Sequence, residues 1–113
     1  MGRTAILNIV GLTPGLVGAH TPNILRFVEK TSLIPVRPVL PAVTCTAQST
    51  YLTGKSPSDH GIVANGWFDC QLSEHHFWKQ SNHLVGGEKI WETLRKKKPG
   101  YTCAKMFWLF NMY

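Results

Sequence analysis

The stretch Pro41-Ala42-Val43-Thr44-Cys45-Thr46-Ala47-Gln48-Ser49-Thr50-Tyr51-Leu52-Thr53-Gly54, followed by Pro57-Ser58-Asp59-His60-Gly61-Ile62-Val63-Ala64-Asn65-Gly66, decides how this chain is read. An extended, proline-rich run stops at a hydroxyl residue. A helix-compatible segment begins there, near Thr44, and ends at Gly54. Such a junction aims a side-chain oxygen at the positive end of a helix, where anions are held and alkoxides are stabilised. Thr44 therefore has two readings: a helix N-cap, a common role for threonine, or a nucleophile in phosphate chemistry. The two are compatible, because a capping position faces the anion site.

Working outward, residues 4 to 10 form a short β-branched apolar run that predicts a buried strand. Gly11-Leu12-Thr13-Pro14-Gly15 is turn chemistry. Thr21-Pro22 is a cap followed by proline at the first helical position, and the helix it opens carries Ile24, Leu25, Phe27 and Val28. Residues 33 to 40 are extended, with Pro35 and Pro38 arguing for an edge or irregular strand. Residues 62 to 67 are a short extended piece, and residues 68 to 83, rich in aromatics and histidine, suggest a hairpin or an excursion over the sheet. Gly86-Gly87 precedes a helix with Ile90, Trp91 and Leu94 on one face, ended by Pro99-Gly100. Residues 101 to 110 are a strand expected to pair in parallel beside the strand at 5–10. Alternating strands and helices predict an α/β fold around a mostly parallel sheet flanked by helices.

Bulk properties bound the function. The chain has 113 residues, enough for one small domain. No apolar run approaches the roughly 18 residues of a membrane span, and the N-terminus lacks a signal-peptide cleavage pattern. The formal charge of +6, from 12 Lys/Arg against 6 Asp/Glu, is partly one cluster, Arg95-Lys96-Lys97-Lys98, at a helix C-terminus. Cations there complement the helix dipole, so no nucleic-acid partner is expected. Cys45, Cys70 and Cys103 form neither a disulfide framework nor a zinc motif, which suits reduced thiols and a cytoplasmic location. The apolar, aromatic run Phe107 to Tyr113 reaches the last residue. A strand this apolar expects cover on both faces, so the chain reads as the N-terminal part of a larger domain, prone to self-association.

Thr53-Gly54, Pro57-Ser58-Asp59-His60-Gly61-Ile62 and Asn65 fall without gaps into a frame that resembles the type I phosphodiesterase/nucleotide pyrophosphatase family of the alkaline phosphatase superfamily. Phe77-Trp78-Lys79-Gln80-Ser81-Asn82 and Glu88-Lys89-Ile90-Trp91-Glu92 resemble a bacterial branch of it. The resemblance implies that residues 1–113 are an N-terminal fragment of one alkaline-phosphatase-like catalytic domain. It implies a hydrolase of small-molecule phosphodiesters or nucleotides using two divalent metal ions, usually zinc. Thr44 would be the nucleophile and a metal ligand, and Asn65 would donate its amide to a non-bridging phosphoryl oxygen. One departure stands out. The family's first metal-binding Asp is Val10 here, and valine cannot ligate a metal. Either Asn8, on the same face of a regular strand, substitutes as a neutral ligand, or the first metal site is altered or missing. The remaining family ligands lie far downstream of this sequence, so the fragment alone is expected to be inactive. The alternative from another class is a non-catalytic interaction module keeping the fold's first half.

Other residues carry paired readings. Cys45 is a thiol nucleophile or a packing residue, and packing is favoured for want of a paired histidine. Thr46 is the fallback nucleophile. Asn65-Gly66 is a catalytic donor or a tight turn. His60 is a ligand, a base or an orienter of backbone, the last being favoured. His75-His76 suggests a metal pair, but neighbours on a strand point to opposite faces, and solvent exposure is favoured. The four tryptophans are expected in a core.

Overall fold

The computed structural model describes residues 3–112 and divides into two compact units, 1–37 and 38–113. In the first, a short 3-10 turn at Pro14–Leu16 precedes helix α1, Pro22–Val28. Pro22 at the first helical position suits its fixed φ and missing N–H to a helix start. Thr21, just before it, uses its hydroxyl outside the helix. Oγ1 accepts from Gly18 N at 2.9 Å and donates to Leu16 O at 3.0 Å, which knots the turn leading into α1.

The expected strand at 4–10 is not formed. Those residues lie in no regular element, with Leu7 81% and Val10 77% exposed. The physical reason is the absence of a ladder: a strand's N–H and C=O groups need a neighbouring strand, and no strand is found in this unit among the described residues. Residues 33 to 40 are likewise extended without pairing.

The second unit holds helix α2 (Thr44–Thr53), the single-turn helix α3 (Pro57–His60), strands β1 (Gly66–Asp69) and β2 (Glu74–Phe77), a 3-10 turn at Asn82–Leu84, and helix α4 (Ile90–Lys97). The architecture is mixed α/β, and its sheet is one antiparallel hairpin with Gly66 opposite Phe77 and Asp69 opposite Glu74. The mostly parallel sheet expected from the alternating pattern is absent among the described residues. The hairpin turn is built by Asp69, whose Oδ1 accepts from Gln71 N at 2.9 Å and Leu72 N at 3.0 Å. Helix α2 stops at Gly54, which takes φ +67, a conformation that a Cβ disfavours, and its N–H returns to Thr50 O at 2.8 Å.

Residues 101 to 110, expected as a parallel strand, form none. Phe107 (φ +59) and Phe110 (φ +52) bend the chain out of extended geometry. The bend serves packing. Phe110 is 1% exposed and joins Cys45, Ile62 and Val85 in the core, while Leu109 N donates to Gln48 Oε1 of α2 at 2.8 Å. Just beyond this segment, Met112 makes one isolated parallel bridge with Ser81. Of the tryptophans, Trp91 is buried, Trp67 and Trp108 are half-buried and Trp78 is exposed. All three cysteines are free, and no helix among the described residues is long and apolar enough to cross a membrane.

Candidate active site

Thr44 is the first residue of α2 and half-buried. The N-cap position belongs to Val43, which is extended at φ −113, ψ 159 and carries no side-chain acceptor. The capping reading of Thr44 is therefore off by one residue. Thr44 opens the first turn of the helix, whose leading N–H groups no helical carbonyl can satisfy.

The missing cap comes from far along the chain. Asn65 Oδ1 accepts from Cys45 N at 3.0 Å across 20 positions of sequence. A backbone N–H can only donate, so the carboxamide presents its oxygen to the helix. Its Nδ2, with two N–H groups, has no hydrogen-bond partner among the described residues. Thr44 and Asn65 are thus brought together at one helix end. The tight-turn reading of Asn65-Gly66 does not hold. Gly66 opens β1, and Asn65 O accepts from Trp78 N at 3.1 Å. The glycine is required for a different reason: a Cβ there would collide with the Phe77 ring and lie 2.8 Å from His76 O.

The other candidates separate cleanly. Cys45 is fully buried in the core, and burial pushes its thiol pKa up, away from thiolate chemistry. Thr46 is also fully buried, with Oγ1 lacking a partner. A phosphorus centre cannot reach it, so the fallback nucleophile is closed off. His60 is fully buried and held at both ring nitrogens: Ile62 N donates to Nδ1 at 3.1 Å, and Nε2 meets Thr50 Oγ1 at 3.0 Å. Desolvation holds its pKa below the ordinary 6.5, with the field of Asp59 opposing. A base with both nitrogens engaged has no lone pair for a substrate proton.

His75 and His76 do point to opposite faces of β2, but only His75 is exposed. His76 is 7% exposed, edge-on to Trp67 at 5.7 Å between ring centroids. The expected exposure fails there because the hairpin's inner face closes over the ring. Asn8 lies in the first unit and is exposed. Among the described residues no group of three or more His, Cys, Asp or Glu side chains is placed to hold a metal ion. The residues present do not fit the bimetal centre that the resemblance implies. Sequence reasoning named Asn65 but missed its grip on Cys45 N–H, and it favoured His60 as an orienter of backbone, which the bond from Ile62 N matches, but missed the bond to Thr50. Neither has a local signal, because the partners lie 20 and 10 positions apart.

Comparison with known proteins covers almost the whole chain. A family model described as type I phosphodiesterase / nucleotide pyrophosphatase matches residues 4–113. A protein of Schizosaccharomyces pombe named as an uncharacterized pyrophosphatase/phosphodiesterase is 40% identical over 55 residues. That alignment covers 48% of this chain and 11% of the yeast protein, so the matched stretch spans about a tenth of that relative's length. No solved structure matches. With the Thr44–Gly54 helix and the His60-Gly61-Ile62 and Asn65 positions inside a match of this extent, the chain belongs to the type I phosphodiesterase/nucleotide pyrophosphatase family.

Proposed function

We propose that this chain carries the nucleophile and the oxyanion donor of a phosphodiester or pyrophosphate hydrolase, with small-molecule phosphodiesters or nucleotides as its substrate class. The observation that carries the reading is the bond from Cys45 N to Asn65 Oδ1 at 3.0 Å. It holds a free amide donor at the N-terminus of α2, where Thr44 begins the helix. Thr44 Oγ1 would form a bond to phosphorus as the bond to the leaving oxygen breaks. Charge building on the non-bridging oxygens would meet Asn65 Nδ2 and the positive end of α2, donors already in place before the reaction. His60 is excluded as the base because both its nitrogens are engaged. Two divalent metal ions, usually zinc, belong to the proposal for the family's longer members. Of the ligands the resemblance implies, this sequence supplies Thr44 and, as a neutral substitute, Asn8, fewer than the roughly three that a catalytic metal needs.

The 113-residue chain is accordingly expected to hydrolyse bis-p-nitrophenyl phosphate at background rate with or without added zinc. Zinc-dependent turnover that disappears in Thr44→Ala would overturn that expectation. The anion site is tested separately by titrating orthovanadate into labelled protein. The Cys45 amide and the Asn65 side-chain amide should shift, and silence at both would remove the reading. A non-catalytic interaction module is the second reading, favoured by the exposure of Met106 (69%) and Phe107 (95%). Vanadate silence together with concentration-dependent sedimentation would favour it.

A further inference from the structure

His60 ends α3 and has no exposed surface, yet both of its ring nitrogens are hydrogen-bonded. Its ring Nδ1 accepts from Ile62 N at 3.1 Å. A ring nitrogen that accepts carries no proton, so in the neutral ring the proton sits on Nε2 and is donated to Thr50 Oγ1 at 3.0 Å. Its carbonyl accepts from Gly86 N at 2.8 Å, at a point where a Cβ on residue 86 would lie 2.8 Å from Asp59 O. One residue therefore ties three parts of the unit together: the middle of α2, the loop at residue 86, and the start of the segment 62–65 that ends in Asn65. The far end of that segment is Asn65 on Cys45 N–H. Between the two ties Ile62, 1% exposed, is packed in the core.

We propose that His60 is a positioning residue: as its Nε2–H tautomer it clamps residues 61–65 to α2 and so holds the Asn65 carboxamide on the first turn of that helix. The consequence for catalysis rests on the reading of Asn65 as the phosphoryl-oxygen donor, whereas the clamp itself does not. The tautomer is demanded by the geometry. With the proton on Nδ1, two donors would face each other at Ile62 N, and Nε2 would have only a lone pair for Thr50.

The test uses the full 113-residue chain, labelled with nitrogen-15. Long-range spectra of the imidazole should show the neutral Nε2–H form at neutral pH, and an Nδ1–H ring would overturn the proposal without any mutation. Hydrogen exchange then reads the clamp. In His60→Gln, which lacks the acceptor at the Nδ1 position, the Cys45 amide should exchange roughly tenfold faster than in the unmutated chain. The Thr93 amide of α4, bonded to Lys89 O at 3.1 Å, should stay within about twofold. His60→Asn, whose amide oxygen can replace Nδ1, should recover part of the protection. Thr50→Val should loosen the same amide, and Thr50→Ser should restore it. Unchanged Cys45 exchange in a folded His60→Gln, or an equal acceleration at Cys45 and Thr93, would overturn the positioning role. Failure of vanadate to shift the Cys45 amide in the unmutated chain would remove the anion-site reading and leave the clamp standing.

Discussion

Residues 5–10 and helix α2 reverse the usual relation between apolar sequence and burial. Ala5-Ile6-Leu7-Asn8-Ile9-Val10 is among the most hydrophobic stretches of the chain and is exposed throughout. Helix α2, Thr-Cys-Thr-Ala-Gln-Ser-Thr-Tyr-Leu-Thr, is rich in hydroxyls, and Cys45, Thr46, Gln48 and Ser49 are all buried. A helix satisfies its backbone within its own segment and then needs only its ends and one face covered. Asn65 covers the first turn of α2, Gly54 its last, and Phe110 and Leu109 pack beside it. A strand satisfies nothing alone. Hydrophobicity states that burial would be favourable, while pairing decides whether it happens.

The sharpest way to break this contrast is at the packed residues. Phe110→Ala should lower the unfolding free energy by about 3 kcal/mol, because it empties a core site lined by Cys45, Ile62 and Val85. Ile9→Ala, at a position 51% exposed, should change it by less than about 0.5 kcal/mol. Urea denaturation followed by tryptophan fluorescence measures both, and equal losses would show that residues 5–10 are buried in solution.

A smaller effect separates the two site residues. Asn65→Ala removes the acceptor for Cys45 N–H and should cost about 1 kcal/mol of stability, as other lost helix caps do. Thr44→Ala should stay within about 0.5 kcal/mol, since Val43 holds the cap position and Thr44 supplies no cap. The opposite order would return the capping role to Thr44.

The smallest change expected is in pH dependence. Burial lowers the His60 pKa below 6.5 in the folded chain. The unfolded chain therefore binds more protons just below that pH, and stability is favoured by deprotonation. The contribution of His60 is fully present above about pH 6.5 and declines as pH falls from there toward the folded-state pKa. Thermal midpoints between pH 7.5 and 5 should fall for the unmutated chain and fall less for His60→Asn. Parallel slopes would assign the pH dependence to other groups.

Several elements were legible from residues alone because their causes are local. Pro22, Gly54 and Pro99-Gly100 punctuate helices through φ and the missing N–H, and α1, α2 and α4 lie where those residues place them. Asp69 builds its turn from its own next few neighbours. The gap-free frame from Thr53 to Asn65 points to Thr44 and Asn65 as site residues, and Asn65 bonds to the backbone of Cys45, the residue after Thr44. The strands expected at 4–10 and 101–110 fail for one reason: an apolar run favours burial but does not supply the pairing a strand needs.

What the amino-acid order determined by itself is the family, the start of α1, the span of α2, the end of α4, and the identity of the residues at the mouth of α2. Those follow from spacing and from backbone preferences confined to a few positions. Only the tertiary structure decided that Asn65 caps Cys45, that Thr46 is sealed off and that His60 spends both nitrogens on Thr50 and Ile62. It alone decided that Phe110 turns into a core instead of extending along a sheet. Each of those outcomes depends on a partner distant in the chain, and a hydrogen bond or a packed ring exists only where folding brings both members within a few ångströms.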